Sequence, residues 1–189
     1  DDVAITGIAY DSRKVARGDL FFALPGEKTD GAQFAAQAAT NGAAAIVSAS
    51  TIDVALPLIV VDNPRRVMAE VSHRFYGHPD RTIDLVGVVG TNGKSTVAAG
   101  LQIVWETAGV KSGLFGTLNY RWGDYSEPAS RTTPEAPDLD RLLSRMRNDG
   151  VKCAVMEVSS HAVTLDRVWG LRYKGGIFTN ITRDHLDFH

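Results

Sequence analysis

The sequence predicts an α/β protein of two domains. A small N-terminal α/β domain covers residues 1–80, and a P-loop-type domain on a parallel sheet covers 81–189. Three observations carry this prediction. From residue 83 onward, apolar runs alternate with amphipathic stretches, the pattern of a parallel sheet covered by helices. A glycine-rich loop, Gly90-Thr91-Asn92-Gly93-Lys94-Ser95-Thr96, stands between the first such run and the helical stretch after it. The breaker-rich GHPDR at 77–81 divides this half from an upstream half with its own strands and helices.

In the first half, a short apolar stretch precedes Asp11-Ser12-Arg13. Gly18-Asp19 turns into a strand at 20–23, LFFA. Asp30 is placed to cap a helix through GAQFAAQAATNG, which Gly42 stops. AAAIVS (43–48) and PLIVVD (57–62) read as buried strands. A helix follows from Pro64 to Tyr76, with proline in its first turn. In the second half, IDLVGVV (83–89) is a strand and Lys94 to Ala108 a helix ended by Gly109. SGLFGTL (112–118) is the next strand, and the polar stretch from Asn119 to Pro134 is a loop or small hairpin. Residues 136–150 form an amphipathic helix with Leu139, Leu142, Leu143 and Met146 on one face. CAVMEVS (153–159) and GGIFTN (175–180) complete the strands.

The formal net charge of −2 gives no electrostatic case for a nucleic acid partner. No apolar run is long enough for a membrane helix, and no signal peptide is recognisable. Cys153 is the lone cysteine, so neither an intrachain disulfide nor a thiolate metal cluster is available, which fits a reducing cytoplasm. The start at Asp1 without methionine and the end in DHLDFH read as cuts in a longer chain, and a monomer is the default expectation.

The loop Gly90 to Thr96 has the chemistry of a phosphate cradle. Glycine lets the backbone turn sharply and approach a ligand, so that successive N–H groups point at phosphate oxygens. The helix starting at Lys94 adds the positive end of its dipole. Lys94 supplies a point charge for terminal phosphates, and Ser95 or Thr96 a hydroxyl for Mg²⁺. The generic Walker pattern slips by one place, because Val88 stands where its first glycine belongs. A glycine-rich turn that only caps a helix is the plainer reading, but glycine, lysine, hydroxyl and context all favour the nucleotide.

Three other segments could carry chemistry. MEVSSH (156–161) ends a strand parallel to the loop's own, where ligands of open α/β sheets bind. Glu157 either reaches a metal on the nucleotide, or caps a helix or pairs with an arginine. His161 taken alone reads as a structural histidine. TNITRDHLDFH (179–189) gathers Asp184, His185, Asp187 and His189, which suits Mg²⁺ ligation or proton transfer, or else a solvated helix start. In SRTTPEAPDL (130–139), Thr132 and Thr133 could hold a sugar or phosphate, or cap the following helix.

Taken together, the motifs resemble the Mur ligase family. GTNGKST is similar to its ATP-binding signature. DSRKVARGDLFFALPGEKTDG, TTPEAPDL, MEVSSHA and FTNITRDHLDFH resemble segments of its MurE type, in the same order and over nearly the whole chain. The resemblance implies a cytoplasmic, ATP-dependent amide ligase of peptidoglycan synthesis. Such an enzyme adds the third amino acid, L-lysine or meso-diaminopimelate, to UDP-MurNAc-L-Ala-D-Glu through an acyl phosphate. It implies that Gly90, Thr91, Asn92, Gly93, Lys94, Ser95 and Thr96 bind ATP. Ser95 and Glu157 would serve one Mg²⁺ and His185 a second. Thr132, Thr133, Ser159 and Arg167 match positions that hold the UDP-MurNAc-dipeptide. Ser12, with Tyr10 beside it, matches the uridine end, and Glu27, Lys28 and Thr29 match a loop on the nucleotide sugar.

Three departures qualify the match. Leu165 stands where some members have glutamine. The family's carbamylated lysine, a Mg²⁺ ligand, and its third domain, which binds the incoming amino acid, both lie beyond residue 189, so the fragment alone is expected to be inactive. Asp62-Asn63-Pro64-Arg65 spells a motif of diaminopimelate-adding members, but that motif belongs to the third domain; here it reads as a strand end running into a helix. The competing readings are a related folylpolyglutamate or cyanophycin-type ligase, and a nucleotide-binding module without ligase activity.

Overall fold

The computed structural model describes residues 3–26 and 29–182. The chain divides into two compact units, Asp1–Val71 and Ser72–His189. The division falls inside a helix, upstream of the boundary expected near residue 80.

The first unit is a four-stranded parallel sheet in the order β1 (Gly7–Ala9), β2 (Asp19–Ala23), β3 (Ala45–Ser48), β4 (Leu58–Val60). Strand alternation sends its side chains to two faces. Phe21, Ala23 and Ile46 pack with Ala35 and Ala38 of α1 (Ala35–Thr40). Leu20, Phe22 and Val47 pack with Val67 and Met68 of α2 (Pro64–Phe75). Asp30 caps as expected, accepting from the Ala32 N–H, but the first turn, Gly31–Phe34, is 3-10 and α1 begins only at Ala35. The stretch 57–62 is not a buried strand. It is the sheet's edge, with Ile59 and Val60 about half exposed at 49% and 51%. The Asp62–Arg65 motif is the expected strand-to-helix passage, for Asn63 Oδ1 accepts the N–H groups of Arg65 and Arg66 at 3.1 Å each.

The second unit is a six-stranded sheet in the order β10-β5-β9-β6-β7-β8. β5 (Asp84–Val89), β6 (Ser112–Phe115), β9 (Cys153–Glu157) and β10 (Gly175–Phe178) run parallel. The polar stretch after β6 is the hairpin β7 (Asn119–Trp122) and β8 (Tyr125–Pro128), which extends the sheet antiparallel. Helix α3 (Lys94–Thr107) covers one face through Ala98, Val97 and Leu101 against Val88, Leu114 and Val155. Helix α4 (Ala136–Asn148) covers the other. Its Leu139, Leu142, Leu143 and Met146 are fully buried with Leu85, Phe115, Trp122 and Met156, as the apolar spacing predicts. A short helix, α5 (Ser160–Thr164), follows β9. It escapes a sequence reading because five residues give no periodicity to detect.

Candidate functional site

Parallel pairing of β5 with β9 brings their carboxyl ends together, Val88 opposite Glu157. Along β9, Val155 faces α3 and Met156 faces α4, so alternation returns Glu157 to the α3 side. There its Oε2 accepts the Ser95 hydroxyl at 2.8 Å, across 62 positions of sequence. Glu157 is 2% exposed. It also accepts the Thr117 N–H at 2.9 Å on Oε1 and the Thr117 hydroxyl at 3.1 Å on Oε2. No arginine pairs with it among the described residues, which removes the ion-pair reading. A buried carboxylate held by hydroxyl and amide partners has the oxygen chemistry that could hold a hard cation. Among the described residues no cluster of three His, Cys, Asp or Glu side chains could hold a metal, and Glu157 and Ser95 are the oxygen donors that this strand end could offer one.

The glycine-rich loop is built as its sequence demands. Gly90 has φ +138°, and a Cβ on it would meet Thr179 Oγ1 at 2.1 Å. Gly93, at φ +84°, enters α3 in the left-handed region that only glycine adopts cheaply. Lys94 Nζ donates to the carbonyls of Gly90 (2.7 Å) and Thr91 (3.0 Å), folding back over the loop.

The N–H of Thr91 donates to Asn180 O at 3.0 Å, and that of Asn92 to Asn180 Oδ1 at 3.1 Å. Asn180 Nδ2 and the Thr179 hydroxyl donate in return to Asn92 O, at 3.0 and 2.7 Å. The Thr91 and Asn92 N–H groups are thus engaged within the protein, whereas those of the first turn of α3, Lys94, Ser95 and Thr96, are the ones helix geometry leaves without helical carbonyl partners. Thr179 and Asn180 were missed as functional residues. Two polar residues after a strand carry no signal of the loop they clasp 87 and 88 positions earlier. A cavity of about 290 Å³ opens beside the loop, lined by Gly90, Lys94, Ser159, Val163, Phe178 and Asn180 among others.

The segment ahead of α4 reaches the same strand end. Thr133 is completely buried. Its hydroxyl donates to Glu157 O at 2.8 Å and accepts the Ser159 N–H at 3.0 Å. Its side chain is thus a strut under Glu157 and Ser159. Neither threonine caps α4, whose N-cap is Glu135. Thr132 is half-buried, 3.3 Å from the Thr117 hydroxyl. Ser159 caps α5, accepting from the Ala162 N–H at 3.2 Å. Arg167 is 8% exposed, with Nε 2.9 Å from Glu135 Oε1 and Nη1 donating to Thr133 O at 3.4 Å. Glu135 is a third residue that sequence reading missed. One glutamate in TTPEAP looks like a helix-start acid until the fold brings Arg167 to it.

The first unit has its own cavity, of about 540 Å³, lined by Tyr10, Ser12, Thr29, Phe34 and Gln37 among others. Ser12 is buried, its hydroxyl donating to Gln37 Oε1 at 2.6 Å, and Asn41 Nδ2 donates to Ser12 O at 2.8 Å. Asp11 accepts from Arg13 through backbone and guanidinium, and the Arg13 side-chain hydrogen bond holds its carboxyl below the usual range. Tyr10, Ser12 and Thr29 are thus brought to one cavity. Glu27, Lys28 and His185, with Asp184, Asp187 and His189, lie outside the described residues.

Known proteins resemble this chain over both units. A family model described as the Mur ligase middle domain matches residues 88–189, and one described as the Mur ligase family catalytic domain matches 4–76. The chain is 43% identical, over 188 residues, to UDP-N-acetylmuramoyl-L-alanyl-D-glutamate--2,6-diaminopimelate ligase of Bacillus velezensis, covering all of this chain and 38% of the relative. It is 45% identical to the ligase of the same name from Geobacillus kaustophilus, over 98% of this chain and 38% of the relative. A solved structure with that name superposes with a TM-score of 0.85 at 29% identity, over 98% of this chain and 38% of that one. The chain thus spans little more than a third of the length of these relatives. With both units matched and the phosphate loop, the Glu157 carboxylate and the first-unit cavity in place, the chain belongs to the Mur ligase family.

Proposed function

We propose that this chain is the nucleotide- and precursor-binding part of a ligase that adds the third amino acid to UDP-MurNAc-L-Ala-D-Glu. The observation that carries the reading is the Ser95–Glu157 contact at 2.8 Å, directly beside the Lys94 loop. The reaction joins a carboxylate to an amine at the expense of ATP. The glutamyl carboxylate of the precursor attacks the γ-phosphate, ADP leaves, and the amine of the incoming amino acid displaces phosphate from the acyl phosphate. The relatives' names support 2,6-diaminopimelate as that amino acid. The reaction belongs to the cytoplasm, where its UDP-linked substrate and ATP meet.

Each group has a physical task. Two anions must approach one another, so positive charge has to meet them where they meet. Lys94, released from the Gly90 and Thr91 carbonyls, turns its ammonium to the terminal phosphates. The free N–H groups of the first turn of α3 hold phosphate oxygens. Glu157 and Ser95 suit Mg²⁺, a hard cation that prefers oxygen ligands and supplies further charge neutralisation when bound. Thr133, Glu135 and Arg167 fix the strand end and Ser159, which faces the muramoyl-dipeptide. In the first unit, Tyr10, Ser12 and Thr29 take the uridine end. Positioning and electrostatics do the catalysis, as in other phosphoryl transfers.

Lys94→Ala tests the reading. ATP affinity is expected to fall by two orders of magnitude or more, roughly 3 kcal/mol for a lost charge-assisted contact, with UDP-sugar affinity unchanged. ATP binding that survives the substitution contradicts the role given to the loop.

A further inference from the structure

We propose that Thr117 is the positioning residue of the metal carboxylate: it clamps both oxygens of Glu157 and so sets how much Mg²⁺ strengthens nucleotide binding. The inference rests on the function proposed above and adds to it a residue outside all the motifs that identify the family.

The geometry is specific. β6 pairs with β9 so that Phe115 lies opposite Met156, which brings the chain after β6 alongside Glu157. Gly116 lies close beside the carboxylate, for a Cβ there would stand 3.4 Å from Glu157 Oε1, in ordinary contact, and 3.3 Å from Asn119 O. Thr117 then contacts the carboxylate twice, its N–H to Oε1 at 2.9 Å and its hydroxyl to Oε2 at 3.1 Å. Two donors on two oxygens fix the carboxylate plane, which a single hydrogen bond cannot do. Ser95 meets Oε2 from the opposite element, α3.

A threonine hydroxyl has one proton. The Thr117 oxygen is 3.1 Å from Glu157 Oε2 and 3.3 Å from Thr132 Oγ1. The carboxylate is the stronger acceptor and takes the proton, so Thr132 donates to Thr117. The Thr117 rotamer is thereby fixed from both sides, and the chain of protons runs from Thr132 through Thr117 to Glu157. Ser95 and Glu157 would hold a cation through oxygen lone pairs, for which the Ser95 hydroxyl would turn its proton away from Oε2. The Thr117 clamp does not have to move. Thr117 itself is exposed, whereas Glu157 is 2% exposed, so the clamp reaches the carboxylate from the open side of the site.

The test is calorimetric titration of the chain with a non-hydrolysable ATP analogue, in Mg²⁺ and in EDTA, for the wild type, Thr117→Val and Thr117→Ser. Valine keeps the shape and the backbone N–H but removes the hydroxyl. The expected result is that Thr117→Val reduces the Mg²⁺-dependent gain in affinity about tenfold, leaves affinity in EDTA unchanged, and that Thr117→Ser restores the gain. A wild-type Mg²⁺ gain in Thr117→Val overturns the inference. So does an equal loss in Mg²⁺ and in EDTA, which is the mark of a general structural role. A wild type that gains nothing from Mg²⁺ overturns the functional reading itself and this inference with it, so the two failures are distinct.

Discussion

Glu157 and Ser95 meet because two regularities act together. Alternation along β9 decides which face Glu157 takes, and parallel pairing with β5 decides which loop it finds there. Both were legible once MEVSS and GTNGKST were read as strand ends of one sheet. The partners that were not legible are isolated polar residues whose meaning depends on a distant element. Thr117 lies near the end of the apolar run 112–118, 40 positions from Glu157, and Asn180 lies 88 positions from Asn92. Asn180 yields a prediction at this scale. Asn180→Ala removes an acceptor from the Asn92 N–H and a donor from its carbonyl, so the loop loses its clasp. ATP affinity is expected to fall about tenfold, the worth of one to two net hydrogen bonds, while Asn180→Asp, which keeps the acceptor, falls less. Equal affinities in all three proteins would contradict the clasp.

At the scale of elements, strands and helices with strong apolar patterns were read to within a few residues. β5, α3, α4 and β9 are examples, and each buries its expected face. β4 misled because PLIVVD has the composition of a central strand, yet no local pattern reveals that a strand lies at an edge. The 119–134 stretch left loop and hairpin open; Trp122 decides it, buried on α4's side of the sheet with Nε1 donating to Asp149 at 2.7 Å. The last turn of α2 holds a feature with a pH signature. His73 Nδ1 lies 3.0 Å from Asp140 Oδ1 on α4, and Nε2 lies 2.8 Å from the Trp169 carbonyl. Both partners accept, so satisfying both takes the doubly protonated ring. Burial opposes that charge, but the Asp140 hydrogen bond and charge outweigh it, with smaller help from Trp169 and Asp80, and the His73 pKa is raised. A raised histidine stabilises fully below its unfolded pKa near 6.5, and that stability is lost as pH rises through the higher folded value. Chemical denaturation is therefore expected to show lower stability at about pH 9 than at about pH 6. Asp140→Ala is expected to cost about 3 kcal/mol at the lower pH and to flatten the profile. A profile unchanged by Asp140→Ala would contradict the pairing.

At the scale of the whole molecule, two units each carry a cavity lined by residues that the family resemblance singles out. Motif order along the chain made this organisation readable, while the division inside α2 was not, because one continuous helix gives no breaker to mark it. Under the proposed function, one unit takes the uridine end of the precursor and the other takes ATP and the dipeptide. The measurement that tests this most directly is calorimetric titration of the chain with UDP-MurNAc-L-Ala-D-Glu, with UDP-MurNAc-L-Ala as the control. Binding is expected to prefer the dipeptide form by about tenfold, the worth of one charge-assisted contact to the glutamyl group. Equal affinity for the two compounds, or binding of ATP with neither compound bound, would contradict it.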